Sequence, residues 1–174
     1  MTAIRWAMVG TGLMADLILK DFGLVENTQL VALVSRDQAR GKAKLEQHGV
    51  TGVTVLDFDA ALADPSIDLI YVASPHSEHF WMTKAALEAG KHVLCEKAFT
   101  MDADEARELA AIAQKHNRFL MEAMWTACHP TIRTLLRLLA DGEHGTARQV
   151  HADLGFVVTA DARDRLVDPA LGAG

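Results

Sequence analysis

A chain of 174 residues is long enough to bury one substantial core with some residues to spare. Half its residues are hydrophobic and 23% are charged, an ordinary globular balance, and the formal net charge of −6 argues against DNA or RNA as a partner. Two cysteines, Cys95 and Cys128, do not make a disulfide framework. No apolar run approaches the ~20 residues that cross a bilayer. The expected setting is the cytoplasm, without a membrane partner.

In chain order, Ile4 to Val9 is a short apolar run with Arg5 as its one charge, the pattern of a buried parallel strand. Gly10-Thr11-Gly12 ends it, and Leu13, Leu17, Ile18 and Phe22 then recur at helical spacing. Leu30 to Ser35 is a second strand. Asp37 is placed to cap a helix running to about His48, closed by Gly49. Val53 to Leu56 is a weak third strand, followed by a short helix from Asp57 through Leu62 that Asp64-Pro65 terminates. Asp68 to Ala73 is the fourth strand. Ser74-Pro75 breaks it, and a helix runs from about His76 to Ala89. Lys91 to Cys95 is the fifth strand, and Asp102 with Glu105 has capping-box spacing before a helix through His116. Arg118 to Ala123 is the sixth strand. A helix follows from Pro130 to about Asp141-Gly142, and Gln149 to Val158 is expected to be a strand of a different sheet. Strands alternating with helices across short turns predict an α/β fold, a Rossmann-type doubly wound parallel sheet.

Gly10-Thr11-Gly12-Leu13-Met14-Ala15 fits G-x-G-x-x-A between the first strand and the first helix. Gly10 permits the tight turn, Gly12 removes a Cβ from the path of a pyrophosphate, and Ala15 allows close helix–strand packing. The helix N-terminus presents unpaired N–H groups and roughly half a positive charge to phosphates. The second strand ends at Ser35-Arg36, with Arg40 one helical turn on, where an NAD site would place a carboxylate for the ribose hydroxyl. A hydroxyl and a guanidinium suit a 2′-phosphate, so NADP is expected in preference to NAD. Two alternatives stay open: Arg36 stacks on adenine or faces solvent, or Asp37 reaches the ribose.

The Gly loop, Ser35-Arg36, Ser74-Pro75-His76-Ser77-Glu78-His79 and Cys95-Glu96-Lys97 resemble the Gfo/Idh/MocA oxidoreductases. Met121-Glu122-Ala123-Met124-Trp125-Thr126 narrows the resemblance to the dimeric dihydrodiol dehydrogenase-like branch. The resemblance implies hydride transfer between NAD(P) and a sugar, cyclitol or diol. It places Lys97 beside the nicotinamide and the reacting hydroxyl, as catalytic and substrate-binding residue, with Glu96 and Lys97 also at the cofactor. Ser74, Pro75, His76 and His79 are candidate crevice residues, with a plain helix-start role open for both histidines. Trp125 is a candidate wall of the substrate pocket or a core aromatic, and Cys95 is expected to pack. No metal is implied.

Departures bear on these expectations. Ala98 stands where the family usually has Pro, which is expected to loosen the turn. Ala127-Cys128 stands where the branch often has Arg-Phe, removing a cation that could hold a polar substrate. The resemblance also implies a second domain, built on a largely antiparallel sheet, that carries much of the substrate site and dimer surface. The expected division is a dinucleotide-binding domain over 1–124, with a linker helix and only the start of the second domain over 125–174. The chain is accordingly expected to be a fragment, a homo-oligomer in its complete form. The only tyrosine, Tyr71, lies in an apolar strand and is a poor catalytic candidate. A non-catalytic NADP-binding module remains the alternative reading, as does a subunit whose final strand completes another chain's sheet.

Overall fold

The computed structural model describes residues 3–142, 145–153 and 155. Six strands form one parallel sheet: β1 (Ile4–Val9), β2 (Thr28–Val34), β3 (Thr54–Leu56), β4 (Leu69–Val72), β5 (His92–Cys95) and β6 (Leu120–Glu122). Their order across the sheet is β3-β2-β1-β4-β5-β6. This is the doubly wound order, in which the chain reverses direction of build between β1 and β4 and opens a crevice beyond their carboxyl ends. The helices are α1 (Leu13–Asp21), α2 (Gln38–Gln47), α3 (Phe58–Ala63), α4 (His76–Glu88), α5 (Ala103–Lys115), α6 (Trp125–Cys128) and α7 (Pro130–Ala140).

The period of two along each strand sorts the core into two layers. Ala7, Val9, Ala32, Val34, Ile70, Val72 and Val93 face one side, where Ala61, Ala86, Leu87 and Leu109 come down from α3, α4 and α5. Met8, Leu33 and Tyr71 face the other, where Ala15 and Leu19 of α1 and Leu45 of α2 cover them. Caps set the helix starts. Asp37 accepts from Arg40 N, Asp57 from Ala60 N, and Asp102 from Asp104 N and Glu105 N. Glu105 Oε2 in turn accepts from Met101 N, one residue before the cap, so the expected box is slightly displaced.

Two short elements were not expected. A 3-10 turn at Phe22–Leu24 follows α1, and α6 precedes Pro130. Of the strand expected over 149–158, residues 149–153 and 155 form none, and the remainder lies outside the described residues. A strand needs a ladder partner for its N–H and C=O groups, and the described chain brings none to this segment. No helix among the described residues is long and apolar enough to cross a membrane.

The end of the sheet away from the crevice is fastened by Lys91. Its buried Nζ donates to the carbonyls of Asp64, at 2.5 Å, and Ile67, at 2.9 Å. Burial pulls its pKa below the ordinary lysine value. Lys91→Met keeps the length of the chain but leaves both carbonyls without that donor. The expected loss is about 1–3 kcal/mol, read from urea unfolding, and an unchanged midpoint would remove Lys91 as a fastener.

Candidate functional site

The Gly loop, the Ser74 loop and the Lys97 loop leave the carboxyl ends of β1, β4 and β5 respectively. Gly10 makes the closest approach across the switch point. Its φ is +112°, and a Cβ there would sit 2.6 Å from the Ala73 carbonyl oxygen. Both facts exclude a side chain, since the obstructing atoms are backbone. Gly10→Ala should cost more than about 2 kcal/mol and weaken nucleotide binding, measured by thermal melting and titration. An alanine variant as stable as the parent would contradict this geometry.

A Cβ on Gly12 would meet nothing within 4 Å. Gly12 is the N-cap of α1 and supplies no side-chain cap, while Ala15 N and Asp16 N fold back onto its carbonyl. Leu13 is exposed and Thr11 and Met14 partly so, leaving the start of α1 open to a ligand. This open space over an uncapped helix N-terminus is what a diphosphate requires, so the residues present fit a dinucleotide. Asp16, one turn further on, is tied back to α2 by Lys44 at 2.6 Å and His48 at 2.8 Å, which hold its carboxyl below the usual range. Its charge is thereby partnered behind the loop.

At the end of β2, Asp37 Oδ1 accepts from Arg40 N and so caps α2. That bond engages one of the two carboxylate oxygens of Asp37. Ser35 is buried, and its Oγ donates to the Asp37 carbonyl at 2.7 Å. In this geometry the Ser35 hydroxyl is engaged within the turn, next to where a 2′-phosphate is expected. Arg36 and Arg40 are both exposed and remain as the cations of this corner.

The loop after β5 is held at successive residues by side chains from three other elements. Glu96 is buried, its Oε1 accepting from Tyr71 Oη at 2.6 Å and its Oε2 from Lys97 N at 3.3 Å. Burial first, and then the bond to Glu96, push the Tyr71 phenol well above its ordinary pKa, so it serves as a neutral donor. The Ala98 carbonyl lies 2.9 Å from His79 Nδ1, and Phe99 N donates to Glu122 Oε1 at 3.0 Å. The Lys97–Ala98 peptide is cis. The turn expected to loosen with Ala98 in place of Pro is thus anchored from β4, α4 and β6, while the Lys97 side chain itself is exposed. Cys95 is wholly buried, and desolvation pushes its thiol up to about 12, consistent with packing.

The expected crevice residues divide on this geometry. Ser74 Oγ is buried and has no hydrogen-bond partner among the described residues, a polar atom that a nucleotide can satisfy. Pro75 is the exposed N-cap position of α4 and His76, its first residue, is buried. His79 is fully buried with both ring nitrogens against carbonyls, so it backs the crevice and does not line it as expected. Glu96 likewise faces Tyr71 and its own loop. Trp125 is 66% exposed and lines a shallow depression of about 310 Å³ with Thr126, His129 and Ile132, a lining that does not include Lys97. Sequence reading missed Tyr71 and Glu122 as supports. Tyr71 carried a signal in the one polar atom of an otherwise apolar strand. Among the described residues no group of three or more His, Cys, Asp or Glu is placed to hold a metal.

Comparisons with known proteins place the chain in an oxidoreductase family. Residues 4–124 match a family described as an oxidoreductase family with an NAD-binding Rossmann fold. The D-xylose 1-dehydrogenase (NADP(+)) of Hypocrea jecorina is 34% identical over 98% of this chain and 49% of that protein. The human trans-1,2-dihydrobenzene-1,2-diol dehydrogenase is 35% identical over 88% of this chain and 46% of that protein. Among solved structures, KijD10, a 3-ketoreductase from Actinomadura kijaniata in complex with TDP-benzene and NADP, superposes with a TM-score of 0.72 at 32% identity. The match covers 81% of this chain and 44% of that one. The chain spans about half the length of the curated relatives it matches.

Proposed function

Because the chain belongs to the Gfo/Idh/MocA oxidoreductase family, we propose that it is the dinucleotide-binding portion of an NADP-dependent oxidoreductase acting on a sugar, cyclitol or diol. Hydride passes between the nicotinamide and the carbon bearing the hydroxyl or carbonyl. The observation that carries this reading is the exposed Lys97, on an anchored loop at the carboxyl end of β5, beside the switch point. The names of the relatives supply the substrate class: a sugar dehydrogenase that uses NADP(+) and a diol dehydrogenase.

The loop before α1 and the helix's first two residues, Gly10 to Met14, hold the diphosphate, and Arg36 with Arg40 holds the 2′-phosphate. Lys97 Nζ hydrogen-bonds the substrate oxygen and carries its proton to or from solvent. NADP, when bound, supplies or takes up the hydride. Ser74 Oγ and the crevice edge near Pro75 and His76 border the nicotinamide end. Residues 1–124 form the dinucleotide domain, and 125–174 lead into a substrate and self-association domain. The apolar positions Ile132, Leu135, Leu136 and Leu139 of α7 support that division, since no residue of this helix is buried among the described ones.

Calorimetric titration with NADPH and NADH, followed by an absorbance screen against polyols and diols, tests the proposal. Tighter binding of NADPH and turnover of a polyol or diol are expected. Binding of neither nucleotide would overturn the cofactor reading, and binding without any turnover would leave a non-catalytic NADP-binding module.

A further inference from the structure

The two phosphate places of the proposed cofactor lie at the starts of different helices, the diphosphate at α1 and the 2′-phosphate at α2. Two side chains of α2 reach one oxygen of α1. Lys44 Nζ lies 2.6 Å and His48 Nε2 2.8 Å from Asp16 Oδ1. A carboxylate oxygen only accepts, so both nitrogens donate to it. Asp16 stands in the first turn of α1, where its own N–H returns to the Gly12 carbonyl at 3.4 Å. Lys44 lies in the last turn of α2 and His48 is its C-cap, four residues on. The side chains of Lys44, His48 and Asp16 are only 15%, 17% and 33% exposed, which sets this contact apart from a solvated surface pair. Elsewhere α2 is seated on the corner. A Cβ on its buried Gly41 would lie 2.6 Å from Val55 Cγ1 and 3.2 Å from Ser35 Cβ. A shift of α2 therefore carries the Ser35-Arg36 turn with it, as a shift of α1 carries Gly12. Ala15, Leu19 and Leu45 also join the two helices, but apolar contact is non-directional. The hydrogen bonds to Asp16 supply the direction.

We propose that Asp16 is a positioning residue whose carboxylate, held by Lys44 and His48, sets the spacing between the diphosphate place on α1 and the 2′-phosphate corner on α2. The proposal rests on the cofactor reading above and adds a residue that touches no part of the cofactor. Once one phosphate of a ligand is seated, the other binds as an intramolecular partner, and that gain vanishes when the two places are wrongly spaced. The charge of Asp16 acts in the opposite sense. A carboxylate in the first turn opposes the phosphates that the helix N-terminus attracts. Charge alone thus predicts that removing Asp16 tightens the binding of every phosphate ligand. Spacing predicts that it weakens a ligand that bridges the two places and spares a ligand that occupies one.

Three nucleotides separate these cases. 2′,5′-ADP carries a phosphate for each place, 5′-AMP one for the start of α1, and 2′-AMP one for the corner. In amide NMR titrations, Asp16→Ala should weaken 2′,5′-ADP about tenfold. The two monophosphates should bind within about twofold of the parent, or tighter. Asp16→Asn keeps an oxygen that accepts from Lys44 and should fall between the parent and Asp16→Ala for 2′,5′-ADP. Lys44→Met changes the charge in the other direction, yet should again weaken 2′,5′-ADP more than either monophosphate. If Asp16→Ala does not fold, Asp16→Asn and Lys44→Met carry the same comparison. Binding of 2′,5′-ADP by the Asp16 variants as tightly as by the parent, or tighter, would overturn the proposal. So would equal weakening of all three nucleotides, which marks a merely structural role. A parent that binds none of the three overturns the cofactor reading and the proposal with it, an outcome distinct from any loss confined to the variants.

Discussion

Lys97→Ala is expected to slow hydride transfer by roughly 10²–10⁴-fold, the usual contribution of a positioned acid or base, while NADPH affinity stays within a few-fold. The separation follows from how the loop is anchored. Tyr71 acts on Glu96, Glu96 on the backbone N–H of Lys97, His79 on the Ala98 carbonyl and Glu122 on the Phe99 N–H. None of these bonds uses the Lys97 side chain, so its removal deletes the reacting group and leaves the loop in place. Single-turnover absorbance of the reduced nicotinamide checks the first half and calorimetry the second. Undiminished transfer would take Lys97 out of the mechanism. A parallel collapse of NADPH binding would mean that the side chain holds cofactor and not substrate.

Arg36→Asp is expected to reverse the preference for NADPH over NADH, with a swing of about 100-fold or more. A charge-assisted hydrogen bond to a phosphate contributes roughly 1.5–3 kcal/mol, and a carboxylate in its place adds repulsion toward the 2′-phosphate while accepting from a ribose hydroxyl. The corner can register this change because its carboxylate and its hydroxyl are engaged within the turn and, among the described residues, Arg40 is the one other cation there. Asp37 caps α2 through Arg40 N, and the Ser35 hydroxyl donates to the Asp37 carbonyl. The substitution therefore alters the exposed charge without dismantling the turn. Competitive titration of the two nucleotides measures it, and an unchanged ratio would show that Arg36 does not read the 2′-phosphate.

The six sheet strands and five flanking helices were legible because each carries a local signal. Apolar runs mark β1, β2 and β4, and Asp37, Asp57 and Asp102 mark helix starts that the structure caps as expected. The Gly loop was legible from its glycine spacing between a strand and a helix, while the 2.6 Å approach of Gly10 to Ala73 is a contact between distant residues. What escaped were contacts between residues far apart in sequence. The alternation in β4 gives Tyr71 its face, but nothing local reveals that its hydroxyl meets Glu96, 25 residues on. The sequence leaves His79 open between a crevice residue and a plain helix-start residue. Its burial depends on how α4 rolls against β5, which no local pattern records. Nor does a local pattern reveal that the Ser35 hydroxyl donates to the Asp37 carbonyl. The strand expected over 149–158 has an alternating pattern, and among the described residues no sheet edge meets its first half.

Backbone amide NMR during a titration with NADPH tests the diphosphate cradle most directly. The account predicts the largest shifts at Thr11, Gly12, Leu13 and Met14. Smaller ones are expected at Arg36 and Lys97, and none at Asp64, Ser66 and Ile67 on the opposite end of the sheet. Saturation with NADPH that leaves residues 10–14 unmoved would contradict it.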